Sequence, residues 1–319
     1  MISPVAQEFQ KEQTSQSREA VEAVTRQWRR MGADFDSSWA MIAGNITAIM
    51  TMTQRDSAQR SRDYFVNVLE DTGQTIYMGN GEPNINAFVG VNGNGLAIDS
   101  AMYGAVIHAK SNIARGGTVH SALTSGQKWI QGATEFALAD TVRAVNRVQF
   151  PTMKVEHYVR ILTTPSCSRC AILAGKTYKS STPFLRHPRC DCQHLPVNEE
   201  VAGDMLFNSE DYFDSLPADQ QDKIFTKGGA EAIRNGADIN QVVNARRGMY
   251  TTADGKFATD EGTTKRGHYG YTQRKFTKKP LKTRERAVRD RLLPEQIQKM
   301  AGNDRKRYLN LLRYYGYLI

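Results

Sequence analysis

Residues 167–194 read CSRCAILAGKTYKSSTPFLRHPRCDCQH and contain all four cysteines of the 319-residue chain. Cys167 and Cys170 have the spacing with which two thiolates on one tight turn supply one edge of a zinc tetrahedron. His187 and Cys190 repeat that offset, and the proline between them favours a second turn. About sixteen residues separate the two pairs, which is within common zinc-finger spacing. The window therefore predicts a metal-stabilised module near the middle of the chain.

Two further residues of the window, Cys192 and His194, compete with the second pair, so six candidates exist for four ligand places. The spacing favours a set with two matching turns: Cys167, Cys170, His187 and Cys190. The close alternative has Cys192 in place of His187 or of Cys190. Because four protein ligands leave no position for the activated water of zinc hydrolysis, we predict a structural zinc ion rather than a catalytic one.

Other interpretations of the cysteines remain open. The four thiols could be buried or reactive without a metal, or one Cys-x-x-Cys pair could be redox-active. The redox interpretation leaves the second half of the window unexplained. We therefore keep zinc as the leading hypothesis.

The composition is that of an ordinary globular protein, with 40% hydrophobic and 24% charged residues. No apolar run approaches the length of about 18 residues that a membrane span requires. The polar N-terminus, MISPVAQEFQKEQTSQSREA (1–20), lacks the basic start and apolar stretch of a secretory signal. We therefore expect no membrane span and folding in a reducing cytoplasm, where disulfides are disfavoured.

Positive charge is concentrated in the last quarter of the chain. Residues 246–319 carry 19 Lys and Arg against 7 Asp and Glu, whereas residues 1–245 carry 23 against 26. Such a tail attracts polyanions, with weak sequence preference and strong salt dependence if the polyanion is DNA. The candidate residues for contacts with nucleic acid or a partner are Arg246, Arg247, Lys265, Arg266, Arg274, Lys275, Lys278, Lys279, Lys282, Arg284 and Arg286. A contact with an acidic protein, or a solvated basic surface, is the alternative.

Helical spacing of apolar residues dominates the first 150 residues. Val24 and Trp28, and then Trp39, Ile42 and Ile46, recur at steps of three and four. The pattern predicts N-terminal helical hairpins over 1–80 that dock a partner, with both tryptophans in the core. A second helical region follows over 81–150.

The remaining chain is predicted to contain the metal module, over 151–245, and a basic arm with C-terminal helices, over 246–319. Alternating apolar residues from Val155 to Ile161 indicate a strand that runs towards the cysteines. Between 251 and 282 the chain loses apolar residues, which favours either an extended arm or a segment ordered by a partner. After it come two short helices, separated at Gly302 and ended at Gly316. The predicted class is α+β, predominantly α, with a small zinc-stabilised α+β module at the centre.

The combination of motifs in this chain resembles the Mu F-like minor head proteins of tailed phages. CSRC (167–170) pairs with HPRCDCQHLPV (187–197), after a strand and beside AGKTY (174–178). Later in the chain, three stretches look like the version of this family carried by phages of actinobacteria: EAIRNGADINQVVNARRGM (231–249), EGTTKRG (261–267) and LLPEQIQKMAG (292–302). The resemblance spans about residues 10–318.

The resemblance implies a low-copy minor capsid protein inside the virion, made in the host cytoplasm and associated with the portal vertex. It implies a role in head morphogenesis, with the portal and head proteins as partners and packaged double-stranded DNA as a further one during packaging or ejection. The family's cysteine and histidine motif carries over onto Cys167, Cys170, His187, Cys190 and Cys192.

We assign no catalytic residue and expect no enzyme activity, because no nucleophile with a matching base is recognisable in the sequence. The alternative is a zinc-dependent nuclease of the HNH type or a capsid maturation protease. A host-directed factor that is injected with the genome would share every sequence feature with a head morphogenesis protein.

Overall fold

The computed structural model describes residues 3–77, 79, 81–162, 165–184, 190, 192–197, 207–264, 267, 269–270 and 290–318. Over these residues the protein is α+β and mostly helical, with two small three-stranded sheets. The predicted α+β, predominantly helical class is thereby confirmed, and zinc stabilisation of the central module stays a prediction. The chain divides into two compact units, one formed by Met1–Thr164 and Ala174–Phe207, the other by Pro165–Leu173 and Asn208–Ile319.

Long helices form most of the first unit. They are α1 (Pro4–Trp28), α2 (Phe35–Asp71), α3 (Ile98–Met102), α4 (Gly104–Ala114) and α5 (Val119–Thr152), with a 3-10 helix at Ile85–Phe88. Side chains at the N-caps satisfy amides that the helix itself leaves without partners. Asp34 accepts the Ser37 amide of α2 at 3.1 Å, and Thr118 accepts the Ser121 amide of α5 at 3.2 Å.

The core of this unit contains the residues that the helical spacing singles out. Trp28 is 2% and Trp39 9% exposed, and Ile42 and Ile46 are fully buried in the same cluster, so the predicted core positions are confirmed. The indole Nε1 of Trp28 donates to the carbonyl of Leu123 at 3.0 Å. Burial of large apolar side chains of this kind stabilises by about 1.5–3 kcal/mol each.

The polar stretch TQRDSAQRSRD (53–63) does not interrupt α2. Its inward-facing side chains bind α5 through hydrogen bonds instead of apolar contacts. Ser61 Oγ donates to the Val142 carbonyl at 3.1 Å and also contacts Asn146 at 2.9 Å, while the Gln54 amide donates to Thr141 at 3.2 Å. The helix therefore stays continuous where its hydrophobic pattern lapses, because the buried polar groups are paired.

The sheet of the first unit consists of β1 (His157–Ile161), β2 (Thr177–Lys179) and β3 (Gln193–Val197), in the order β2-β1-β3 with antiparallel neighbours. The strand predicted ahead of the cysteines is β1, which is the central strand. Val159 and Leu195 face each other in register and pack into a cluster with Tyr64 and Val142 of the long helices. The tyrosine hydroxyl donates to the His194 carbonyl at 3.1 Å.

The second unit combines short helices with the other sheet. Its helices are α6 (Ser168–Ala171), α7 (Ser209–Ser215), α8 (Ala218–Phe225), α9 (Lys227–Arg234), α10 (Ile239–Ala245), α11 (Pro294–Ala301) and α12 (Arg305–Tyr314). The strands β4 (Met249–Thr251), β5 (Phe257–Thr259) and β6 (Arg291–Leu292) pair antiparallel in that order.

Two predictions for the C-terminal quarter have different outcomes. The last two helices are separated at Gly302 and end before Gly316, as predicted, and both glycines have positive φ, at 59° and 70°. The stretch from 251 onwards is not simply an extended arm, because β5 lies within it. The residues from 271 to 289 lie outside the described part of the chain.

Candidate metal centre

The first cysteine pair lies on one helical turn in the segment that connects β1 to β2. Cys167 is the N-cap of α6, and its Sγ accepts a hydrogen bond from the Cys170 amide at 3.4 Å. Cys170 is buried, whereas Cys167 is exposed. The hydrogen bond closes the turn, which is the local geometry that the Cys-x-x-Cys spacing predicts.

Gly175 returns this segment to the sheet. Its amide donates to the Arg160 carbonyl of β1 at 3.0 Å, and its φ is +70°, a conformation that L side chains rarely adopt. A Cβ on this residue would lie 2.2 Å from the backbone nitrogen of Phe207. Only glycine therefore fits where the chain leaves the cysteine turn and enters β2.

The second pair, Cys190 and Cys192, lies immediately before β3. Both side chains are buried, with 2% and 0% exposure. Both thiol groups are therefore shielded from solvent where the chain enters β3.

Three of the four sulfur atoms form one group. The Sγ atoms of Cys170, Cys190 and Cys192 lie within 4.8 Å of one another, and all three residues are buried. Among the residues that the structure describes, no cysteine is joined in a disulfide. Three converging thiol groups are soft ligands of the kind that bind zinc, copper(I) or iron–sulfur clusters. The arrangement could hold a metal ion.

A buried arginine on α5 holds the backbone of the second pair. The Arg143 Nε donates to the Cys192 carbonyl at 3.0 Å, and its Nη2 donates to the Cys190 carbonyl at 2.5 Å. The Nη1 atom lies 3.1 Å from Asp140 Oδ1, and both side chains of this ion pair are only 6% exposed. Sequence reasoning did not single out this arginine. The available signal was an Asp and an Arg three residues apart on α5, a spacing that places both on one face of the helix.

Three of the six predicted metal ligands lie together in the structure. Cys170 and Cys190, from the favoured set, and Cys192, from its alternative, are the three residues brought together. Cys167 is on the same turn as Cys170 but outside the group of three. His187 lies outside the described residues. The identity of the fourth ligand stays a prediction.

His194, the remaining candidate of the window, packs as an aromatic residue. Its ring lies 4.6 Å from Tyr158, 4.5 Å from Phe184 and 5.4 Å from Phe150, measured between ring centroids. Burial, and then the positive charge of Arg143, lower the pKa of this histidine well below its usual value. The imidazole is therefore neutral at physiological pH.

The predicted basic contact residues are mostly outside the described part of the chain: Lys265, Arg266, Arg274, Lys275, Lys278, Lys279, Lys282, Arg284 and Arg286. Of the two that are described, Arg246 is paired with Glu295, which offsets its charge locally. Arg247 is 67% exposed and lies 3.8 Å from Glu261. Their role in binding stays a prediction.

Sequence reasoning passed over four exposed cations on α12: Arg305, Lys306, Arg307 and Arg313. Within the described residues, none of the four is in an ion pair, and the helix itself carries no acidic residue. The signal was present in the sequence RKRYLNLLRY, where the basic residues fall between the apolar positions that face the core.

Comparison of the chain with models of protein families, with curated proteins and with solved structures finds no match. In the part of the chain that the structure describes, no helix combines the length and the apolar character that crossing a membrane requires.

Proposed function

We propose that the cysteine group is a structural zinc site and that the chain is a minor head protein of a tailed phage, acting at the portal vertex in head morphogenesis. The metal part of the proposal is supported by the three buried sulfur atoms within 4.8 Å of one another. Cys167 or His187 supplies the fourth ligand. With four protein ligands the ion leaves no site for an activated water.

Zinc is favoured over the other soft metals by the ligand spacing. A Cys-x-x-Cys turn combined with a second close pair is typical of structural zinc sites. Zinc also needs no redox partner, and it contributes directly to folding where thiols of distant segments must be brought together. This explains why a chain long enough for an ordinary core would keep four cysteines in one short window.

Metal content is the first test. The purified, reduced chain is expected to contain one zinc per molecule by elemental mass spectrometry, and Cys170→Ser is expected to lose it. Cys167→Ser is the informative companion, since retained zinc would assign the fourth place to His187. A wild-type protein that is folded and reduced but free of zinc, and that binds none when it is added, would refute the site.

The head role is supported by the motif combination, by the metal module and by the basic C-terminal quarter. The predicted docking region, residues 1–80, cannot be tested by deletion, because α1 and α2 form the core of the first unit with α5. Surface substitutions are the better test. Met41 and Met52 are 64% and 72% exposed, and lie eleven residues apart on one face of α2.

In phage particles assembled with the double variant Met41→Glu/Met52→Glu, we expect the protein to be reduced or missing in purified heads. Ile113→Glu, at an apolar residue of α4 that is 38% exposed, is the matched control and should be incorporated normally. Mass spectrometry of the heads gives the readout. Absence of the wild-type chain from heads, despite normal expression, would refute the assignment to the virion.

The enzyme alternative requires an open coordination position or a nucleophile. A zinc-dependent nuclease would cleave DNA and lose that activity in His187→Ala without losing its fold. A structural site predicts no cleavage in either protein. Cleavage of DNA, or of head proteins, by the purified chain would make the enzyme the leading hypothesis.

A further inference from the structure

Arg143 is placed unusually for a side chain of the helical core. Its three hydrogen-bonding nitrogens all have buried partners, and two of those partners are the carbonyls of Cys190 and Cys192. The third, Asp140, lies one turn earlier on the same helix and orients the guanidinium. One side chain thus connects α5 to both residues of the second cysteine pair.

Burying this ion pair has a cost that a purely structural contact could avoid. Removing a guanidinium and a carboxylate from water is unfavourable, and apolar residues of similar volume often replace such pairs without loss of stability. A neutral amide could also donate to the same carbonyls. A charged, forked donor is distinguished from these by two properties, its positive charge and its fixed geometry.

Both properties are useful beside thiolates. Metal binding by three cysteines concentrates negative charge in a buried place, and a nearby guanidinium offsets it. Holding the two carbonyls also fixes the peptide planes next to each cysteine, and with them the directions of the Cα–Cβ bonds that carry the sulfur atoms. Removing groups that orient metal-ligating residues by hydrogen bonds typically lowers metal affinity about 10- to 100-fold.

We infer that Arg143 is the positioning residue of the metal centre: by holding the Cys190 and Cys192 carbonyls, it presets the geometry of two sulfur ligands and couples metal binding to α5. This inference rests on the proposed metal site. The same helix is hydrogen-bonded to Ser61 and Gln54 of α2. The orientation of the two cysteines is therefore set by the helical core and not by the cysteine segment itself.

The test compares zinc affinity among variants of the full chain, by competition with a chromophoric chelator. Arg143→Lys keeps the charge but loses the fork, and Arg143→Met loses both. Arg147→Lys is the matched control, because this arginine is exposed and lies one turn later on the same helix. We expect both Arg143 variants to bind zinc about 10- to 100-fold more weakly, and the control to match the wild type.

Cobalt(II) supplies a second readout that general destabilisation would not change. Its ligand-field bands report coordination geometry, so misplaced sulfur atoms should alter the spectrum of Arg143→Lys even at saturating metal. An unaltered spectrum together with wild-type zinc affinity in Arg143→Lys would overturn the inference. Zinc affinity lost in the Met variant alone would also overturn it, because charge and not positioning would then be the contribution.

A measurement on the wild type covers the case in which the variants fail to fold. The Arg143 Nε–H resonance, labelled with nitrogen-15, should be protected from exchange and should shift when zinc is added, while that of Arg147 should not. No shift on zinc binding would contradict the coupling. A wild-type chain that binds no zinc would refute the metal site itself, which is a distinguishable failure.

Discussion

Substitution of Arg291 should strongly destabilise the second unit. This residue of β6 is 1% exposed. Its guanidinium donates to the carbonyls of Tyr315, Glu261 and Gly316 and to the side chain of Gln241, at 2.9–3.1 Å. It therefore ties β6, α10 and the end of the chain together. Burial lowers its pKa, but not enough to discharge a guanidinium.

The magnitude follows from these contacts. Arg291→Met leaves four acceptors without this donor, one of them buried and three part-buried, at a cost of about 1 kcal/mol each. Relief of the desolvation of the guanidinium offsets part of that cost, while the contact with the Tyr317 ring, 4.3 Å from the arginine Cζ, is lost as well. The net loss should be about 3–4 kcal/mol. That is a large fraction of the stability of an ordinary domain, which is about 5–15 kcal/mol.

Hydrogen exchange can measure this loss in the second unit alone. All three tryptophans lie within residues 28–129 of the first unit, so tryptophan fluorescence should be unchanged. Amides of α11 and α12 should exchange about 10²- to 10³-fold faster, since each 1.4 kcal/mol is a factor of about ten. Arg307→Met, at an exposed residue of α12, is the control and should change exchange little. Exchange in Arg291→Met within about threefold of the wild type would refute the reasoning.

Two other predictions concern the packing around helical glycines of the first unit and the positive charge of α12. Gly126→Ala should cost about 1–3 kcal/mol in urea unfolding followed by tryptophan fluorescence, because the new Cβ would lie 2.4 Å from the Trp28 ring. Gly44→Ala, on a helix with nothing within 4 Å of the new atom, should stabilise by about 0.5–1 kcal/mol, and equal effects of the two would contradict the packing argument. Lys306→Ala/Arg313→Ala should reduce the log–log salt slope of binding to double-stranded DNA by about 2; an unchanged slope would show that α12 does not contact phosphates.

The helices were largely predictable from sequence because their signals are local. The spacing of Trp28, Trp39 and Ile42 identifies the buried face, and positive-φ glycines such as Gly302 mark where helices end. The central strand β1 was also predicted, because alternating apolar residues from Val155 to Ile161 are typical of a strand. The helical spacing of apolar residues is interrupted in the polar stretch of α2, where hydrogen bonds to α5 replace apolar contacts.

The cysteine site was predictable in composition and only partly in geometry. Spacing alone identified the turn of Cys167 and Cys170, since hydrogen bonding within three residues is a local property. It favoured Cys190 over Cys192 because of a second matching turn. The structure brings both of them to Cys170, and spacing along the chain does not encode this meeting of distant segments.

The periodicity and spacing of residues along the chain are sufficient to establish the helical class, the core positions of Trp28 and Trp39, and the concentration of soft ligands in one window. Tertiary contacts are needed to establish which sulfur atoms come together, that Arg143 of α5 holds the backbone of Cys190 and Cys192, and that Arg291 connects the elements of the C-terminal unit. Those features depend on side chains from distant segments finding buried partners, and the cost of leaving a buried charge without partners makes the pairing specific.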